Sequence, residues 1–98
     1  MDRAQAIDWL RSVGRNASAR DWALGETIYI TIGEPQLHQG VKAFPGAVYL
    51  RPAQSGGWDL IDFAHGRAES VEWHGDLASA ARAAHDYIAR QELTSRPL

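Results

Sequence analysis

The sequence predicts a two-layer α+β domain in which two helices cover one face of an antiparallel sheet. Apolar residues recur at a helical spacing near both ends of the chain, and they alternate with polar residues in the middle. The connections between the alternating segments are mostly short, which favours a four-stranded meander between an N-terminal and a C-terminal helix. A chain of 98 residues suits one domain, so we expect residues 1–98 to form a single unit.

The two helices are predicted over residues 2–14 and about 76–92. Asp2 and Asp76 are candidate N-caps, and Gly14 can end the first helix in a left-handed conformation. The apolar positions with 3/4 spacing are Ala6, Ile7, Leu10 and Val13 in the first helix and Leu77, Ala81, Ala84 and Ile88 in the last.

The clearest strand covers residues 24–33, where three isoleucines alternate with polar residues. Ile28, Ile30 and Ile32 are expected to face the core, which leaves Thr27, Tyr29 and Thr31 on a half-exposed face. Residues 15–23 show no clear period and are predicted as a loop. Residues 34–46 contain two prolines and two glycines and are predicted as a long surface loop, a length also typical of functional loops.

Three further strands are predicted over residues 47–52, 58–63 and 69–74. Pro52 ends the first of them, because proline cannot donate to a sheet ladder. A tight turn at His65-Gly66 joins the last two into a hairpin. In the last strand, alternation places Val71 and Trp73 on one face and Glu72 and His74 on the other.

Composition narrows the class of protein. The chain is 45% hydrophobic and 22% charged, which is typical of a globular domain. It has no cysteine, so a core without disulfides is expected, as in a reducing compartment. The N-terminus has an early acid and no apolar run, so we expect no secretory signal and no membrane association. These features predict a cytoplasmic protein.

Charge is concentrated in one stretch. The net charge is −2, which disfavours nucleic acid as a partner. Residues 52–76 carry −4, whereas residues 1–51 and residues 77–98 each carry +1. The excess of carboxylates therefore lies on the predicted last hairpin and its connection to the final helix.

The histidines and carboxylates are the residues that could carry out acid–base chemistry or bind a metal ion. The four histidines show no metal-ligand spacing, so no metal and no cofactor is predicted. The pairs Asp59/Asp62 and Glu69/Glu72 have a spacing of three, which on a regular strand puts the two side chains on opposite faces. Glu72 and His74 share a face and could act as an acid–base dyad, with His38 in the long loop as another candidate base.

Recognition is the better interpretation of the acidic hairpin, because two tryptophans lie among its carboxylates. Aromatic residues beside charges are common at interfaces, and an acidic face steers a basic partner. No catalytic residue is predicted. The candidate binding residues are Trp58, Asp59, Asp62, Glu69, Glu72, Trp73 and His74.

Residues 57–90 resemble small cytoplasmic immunity proteins of bacterial polymorphic or contact-dependent toxin systems. The matching residues are Trp58–Ile61, Gly66-Arg67, Glu72-Trp73 and Asp76–Ala78. The resemblance implies a cognate toxin domain, often a basic nuclease, that is neutralised by an acidic surface of this protein. Two alternatives stay open from the residues themselves: a small nuclease-like enzyme or toxin domain, and a regulatory domain that forms a homodimer.

Overall fold

The computed structural model describes residues 1–22, 25–33, 36–44, 46–64 and 67–94. The predicted turn residues His65 and Gly66 therefore lie outside the described part of the chain. Two helices enclose seven strands in chain order. Their bounds are α1 Arg3–Ser12, β1 Asn16–Trp22, β2 Gly25–Ile32, β3 Gln36–His38, β4 Val41–Ala43, β5 Gly46–Pro52, β6 Trp58–Ala64, β7 Arg67–His74 and α2 Leu77–Thr94.

Both helices begin at the predicted N-caps. Asp2 accepts from the backbone N–H of Gln5 at 2.8 Å, and the Gln5 side chain accepts from the Asp2 N–H at 2.9 Å, which completes a capping box. Asp76 accepts from the N–H of Ser79 at 2.8 Å and from its hydroxyl at 3.1 Å. These hydrogen bonds hold the pKa of Asp76 below its usual range. The two predicted helices are confirmed.

The main sheet has five antiparallel strands in the order β1-β2-β5-β6-β7. The α+β class is confirmed, but the prediction of four strands is wrong. The missed strand, β1, lies in the stretch predicted as a loop and pairs with β2 along its whole length. Its inward positions include Ala17, which pairs with Ile30 and is 1% exposed. Alanine is a poor strand former, so this alternation was hidden.

The connection between β2 and β5 is also more ordered than predicted. Instead of a plain loop over residues 34–46, β3 and β4 form a separate two-stranded antiparallel hairpin. The hairpin leaves the sheet where Ile32 of β2 pairs with Gly46 of β5. It therefore lies at the end of these strands opposite to the loop that joins β5 and β6.

One core lies between the helices and one face of the sheet. The prediction that Ile28, Ile30 and Ile32 face it is confirmed, since the first two are fully buried and Ile32 packs against them from the edge. Large side chains from the strands meet small ones from α2, which lets that helix approach the sheet closely. The other core residues include Leu10 of α1, Val48, Leu50 and Leu60 of the sheet, and Ala80, Ala81, Ala84 and Ile88 of α2.

Neither α1 nor α2 covers the opposite side of the sheet, which we call the open face. Two cross-strand rows define it. The first is Tyr29, Tyr49 and Ile61, and the second is Arg51, Asp59 and Trp73. The ring centroids of Tyr29 and Tyr49 are 5.2 Å apart, and the Arg20 guanidinium lies 4.7 Å from the Tyr29 centroid. This face is better shielded from water than predicted: Thr27 is 1% and Thr31 8% exposed, so the prediction of a half-exposed face is wrong for these two residues.

Candidate functional site

β7 is an edge strand, and it carries four of the seven predicted binding residues. It pairs with β6 on one side and has no further strand beside it in the described sheet. An edge strand offers backbone groups and both rows of side chains to an approaching partner. The acidic residues of β7 therefore lie on an edge that is open to contact by another molecule.

A β-bulge at Val71 changes which side chains share a face. Leu60 pairs with Glu72, but the next residue of β6, Ile61, pairs with Ser70, so Val71 is an extra residue in β7. Asp62 then pairs with Glu69. Glu69 and Glu72 consequently lie on the same side of the sheet, and the prediction of opposite faces for this pair is wrong. Regular alternation was assumed, and the inserted residue reverses it.

Asp59 and Asp62 lie on opposite sides of β6, as the strand period predicts. Asp59 is directly opposite Trp73 on the open face, and its Oδ2 lies 3.7 Å from Nη2 of Arg51. Asp62 faces α2 and accepts a hydrogen bond from the hydroxyl of Tyr87. Burial, followed by this bond to Asp62, raises the pKa of Tyr87 to about 12.

The seven predicted binding residues therefore do not form one surface. Asp59 and Trp73 lie on the open face. The others lie on the side that carries the helices, and these are Trp58, Asp62, Glu69, Glu72 and His74. Trp58 packs against the core cluster, so its main contacts are structural. The β7 edge is where the two groups come nearest to each other.

On the helix side, a groove runs between β7 and α2, and we call it the β7–α2 groove. It is an open concavity of about 420 Å³. Its polar lining consists of Glu72 and His74 from β7 and Ser79, Arg82, Asp86 and Arg90 from α2. Glu72 Oε1 and His74 Nε2 are 3.9 Å apart, too far for a hydrogen bond. The shared face predicted for these two residues is confirmed.

Two atoms in this groove lack a partner. Glu72 Oε2 and His74 Nε2 are buried and make no hydrogen bond with the described residues. Most buried polar atoms in proteins are paired, so an unpaired acceptor marks a place where a donor from outside can bind. Arg82, Asp86 and Ser79 of this groove could not be assigned from sequence spacing, because only the packing of α2 brings them to β7.

On the open face, Trp73 is exposed but firmly placed. Its side chain is 56% exposed, while its indole N–H donates to the carbonyl oxygen of Gly56 at 3.0 Å. Gly57 has φ +75, and a Cβ there would lie 2.7 Å from the indole ring. Only glycine permits this approach. An exposed tryptophan that is already ordered loses little entropy on binding, as in interface hot spots.

A second concavity adjoins this indole, and we call it the Trp73 corner. Its volume is about 640 Å³, and its lining includes Arg51, Pro52, Gln54, Ser55, Asp59 and Trp73. The aromatic ring, the Arg51–Asp59 pair and the loop after β5 give it both apolar and polar contacts. Arg51 and Gln54 were missed as site residues because no motif marks them.

The two candidate bases predicted from the sequence, His38 and the Glu72–His74 pair, lie at different ends of the sheet. His38 lies on β3, which leaves the sheet at the Ile32 end of β2, whereas His74 pairs with Trp58 near the Pro52 end of β5. Among the described residues, no group of three or more His, Asp or Glu side chains is placed to hold a metal ion. Among the described residues, His38 and the Glu72–His74 pair therefore belong to separate regions of the molecule.

Comparisons of the chain with protein-family models, with curated proteins and with solved structures gave no match. Across the described residues, neither helix combines the length and the apolar character that crossing a membrane requires. The two concavities beside β7 are therefore the basis for a functional proposal.

Proposed function

We propose that this protein is an inhibitor that binds another protein, an immunity protein that neutralises a cognate toxin domain in the cytoplasm. The observation that supports this proposal most directly is the arrangement of side chains at the β7 edge. A firmly placed, exposed Trp73 lies on one side of this edge, and the carboxylates of Glu69 and Glu72 lie on the other. The β7 edge therefore combines an aromatic anchor with charged residues around it, as interfaces of protein inhibitors do.

The negative charge of the carboxylates at the β7 edge favours a basic partner. Asp62, Glu69 and Glu72 lie on the same side of the sheet, next to the groove that Asp86 also lines. Clustered carboxylates accelerate the encounter with a basic domain and repel acidic ones. A second copy of this chain would bring like charges together at this edge, so the proposal favours a different protein over a homodimer.

The first experiment uses the reading frame next to this one in the native genome. That product is expressed alone, this chain is expressed alone, and the two are expressed together. We expect toxicity from the neighbouring product only, recovery of growth on co-expression, and a one-to-one complex by light scattering. A harmless neighbour, the absence of a complex or toxicity of this chain by itself would each overturn the proposal.

The second experiment tests the charged edge by reversing Glu69 and Glu72 to lysine together. We expect the association rate with the toxin to fall about tenfold or more at low ionic strength, because electrostatic steering is lost. A matched control reverses two exposed acids far from β7, Asp8→Lys with Glu26→Lys, which changes the net charge equally. Equal effects of the two double variants would contradict a specific role for the β7 edge.

A further inference from the structure

We propose that the β7–α2 groove is a binding site for a guanidinium group, held by Glu72 and His74 with Asp86 at the rim. As the source of that group, we assign an arginine side chain of the protein partner. The assignment of the source rests on the proposed inhibitory function, whereas the guanidinium site itself is tested without the partner.

The site is defined by two polar atoms that the described residues leave unpaired. Glu72 Oε2 and His74 Nε2 are both buried and have no hydrogen-bond partner in the described part of the chain. A carboxylate only accepts, and a neutral imidazole with its hydrogen on Nδ1 accepts through Nε2. A ligand that brings several N–H donors can pair the Glu72 carboxylate and, in that tautomer, His74 Nε2 as well.

The spacing of the two groups fits a planar donor. Glu72 Oε1 and His74 Nε2 are separated by 3.9 Å, so one fork of N–H groups can bond to both residues at once. A guanidinium presents five N–H groups in a fixed plane and is weakly hydrated, whereas an ammonium is compact and strongly hydrated. The geometry therefore favours arginine over lysine.

The surrounding charges set the strength of the site. Asp86 adds a second carboxylate to the lining, and Arg90, whose guanidinium lies 6.0 Å from the ring centroid of Tyr87, adds a positive charge. Arg82 is exposed on the wall of the groove and opposes an incoming cation. Arg82 thus weakens the binding of a single guanidinium group, and its removal should strengthen that binding.

The experiment is a titration of the ¹⁵N-labelled full chain, followed by NMR, with three blocked tripeptides of the form Gly-X-Gly. The central residue is arginine, lysine or citrulline, which has the shape of arginine without its charge. We expect saturable shifts of the Glu72 and His74 amides with arginine, at least about threefold weaker binding of lysine, and no saturation with citrulline. Equal binding of arginine and citrulline, or of arginine and lysine, would overturn the proposal.

Three variants locate the site. Glu72→Gln should weaken arginine binding about tenfold, because the charge-assisted bonds are lost. Glu69→Gln removes the same charge from the same side of β7 but lies outside the groove lining, and it should change the affinity by less than about twofold. Arg82→Gln should tighten binding by about two- to threefold. An unchanged affinity in Glu72→Gln, with the fold intact by circular dichroism, would disprove the site.

The same variants separate this proposal from the inhibitory function. If the arginine peptide binds and Glu72→Gln abolishes it, the guanidinium site stands even when the neighbouring gene product forms no complex. If the toxin complex forms but the peptide leaves the groove unperturbed, the inhibitory function stands and the guanidinium site does not.

Discussion

The two edge strands of the sheet, β1 and β7, differ in the contacts that their residues make. At β1, helix α1 reaches the edge: Arg11 Nε donates to the carbonyl oxygen of Ala17 at 3.0 Å, and Arg3 forms a 2.7 Å ion pair with Asp21. At β7, the strand carries a bulge, two carboxylates on one side and an exposed tryptophan on the other. The first edge is contacted by Arg3 and Arg11 of α1, whereas Glu72 Oε2 at the second edge makes no hydrogen bond with the described residues. The contrast supports the proposal that β7, and not β1, is the edge that binds a partner.

The largest effect that tests this contrast is a buried charge at β1. Ala17→Glu places a carboxylate where the side chain is 1% exposed and faces the core, so the free energy of unfolding should fall by about 3 kcal/mol. Ser70→Glu makes a similar change at an exposed position of β7 and should change it by less than about 0.5 kcal/mol. Chemical denaturation measures both. Similar losses in the two variants would mean that the edges are equally structural.

A smaller effect is expected where β7 meets the loop after β5. Gly57→Ala would put a Cβ 2.5 Å from the carbonyl oxygen of His74, in a backbone with φ +75, and should lower the free energy of unfolding by about 2 kcal/mol. Gly56 also has a positive φ, +95, but a Cβ at this position would meet nothing within 4 Å. Gly56→Ala should therefore lower the free energy of unfolding by about 1 kcal/mol.

Tryptophan fluorescence gives a second measurement for this pair of variants. Gly57→Ala should displace the Trp73 indole and shift its emission, whereas Gly56→Ala should leave the emission unchanged. Identical stability and emission in both variants would show that Gly57 does not position Trp73.

The smallest effect concerns the hydrogen bond that ties α2 to the helix side of β6. Tyr87→Phe removes the bond to Asp62 and should cost about 1 kcal/mol at neutral pH. The pKa of the Tyr87 hydroxyl is raised from 10.0 to about 12 in the folded state. The stabilisation is therefore complete below pH 10 and is lost as the pH rises through about 12.

Denaturation curves across this alkaline range measure the loss directly. The wild type should lose more stability than Tyr87→Phe as the pH rises. Parallel losses in the two proteins would show that the phenol–carboxylate bond does not contribute.

Much of the fold follows from local patterns in the sequence. The isoleucines of β2 alternate with polar residues, and Asp76 immediately precedes an apolar helical stripe, so both elements could be predicted from short-range chemistry. β1 could not, because Ala17 and Ala19 give a weak apolar signal. Ala17 is buried opposite Ile30 of the neighbouring strand, whereas Ala19, opposite Ile28, is exposed.

The candidate site was less predictable, for a physical reason. The acidic hairpin was identified correctly as a concentration of charge, but alternation alone assigned Glu69 and Glu72 to opposite faces. A bulge depends on the partner strand and not on local propensity, so its effect is invisible in a period-two pattern. Asp86 and Arg82 are close to β7 only because α2 packs beside it, and no sequence motif predicts that packing.

The bulge at Val71 has a consequence for how the molecule turns as it approaches another charged body. A strand without the extra residue would divide Glu69 and Glu72 between the two sides of the sheet, and their fields would partly cancel across it. With the bulge, both carboxylates join Asp62 on the helix side, while the open face carries Arg51 beside Asp59. The carboxylates of this hairpin are therefore one-sided, and the field of a basic body exerts a torque on them that would favour approach from the helix side of β7.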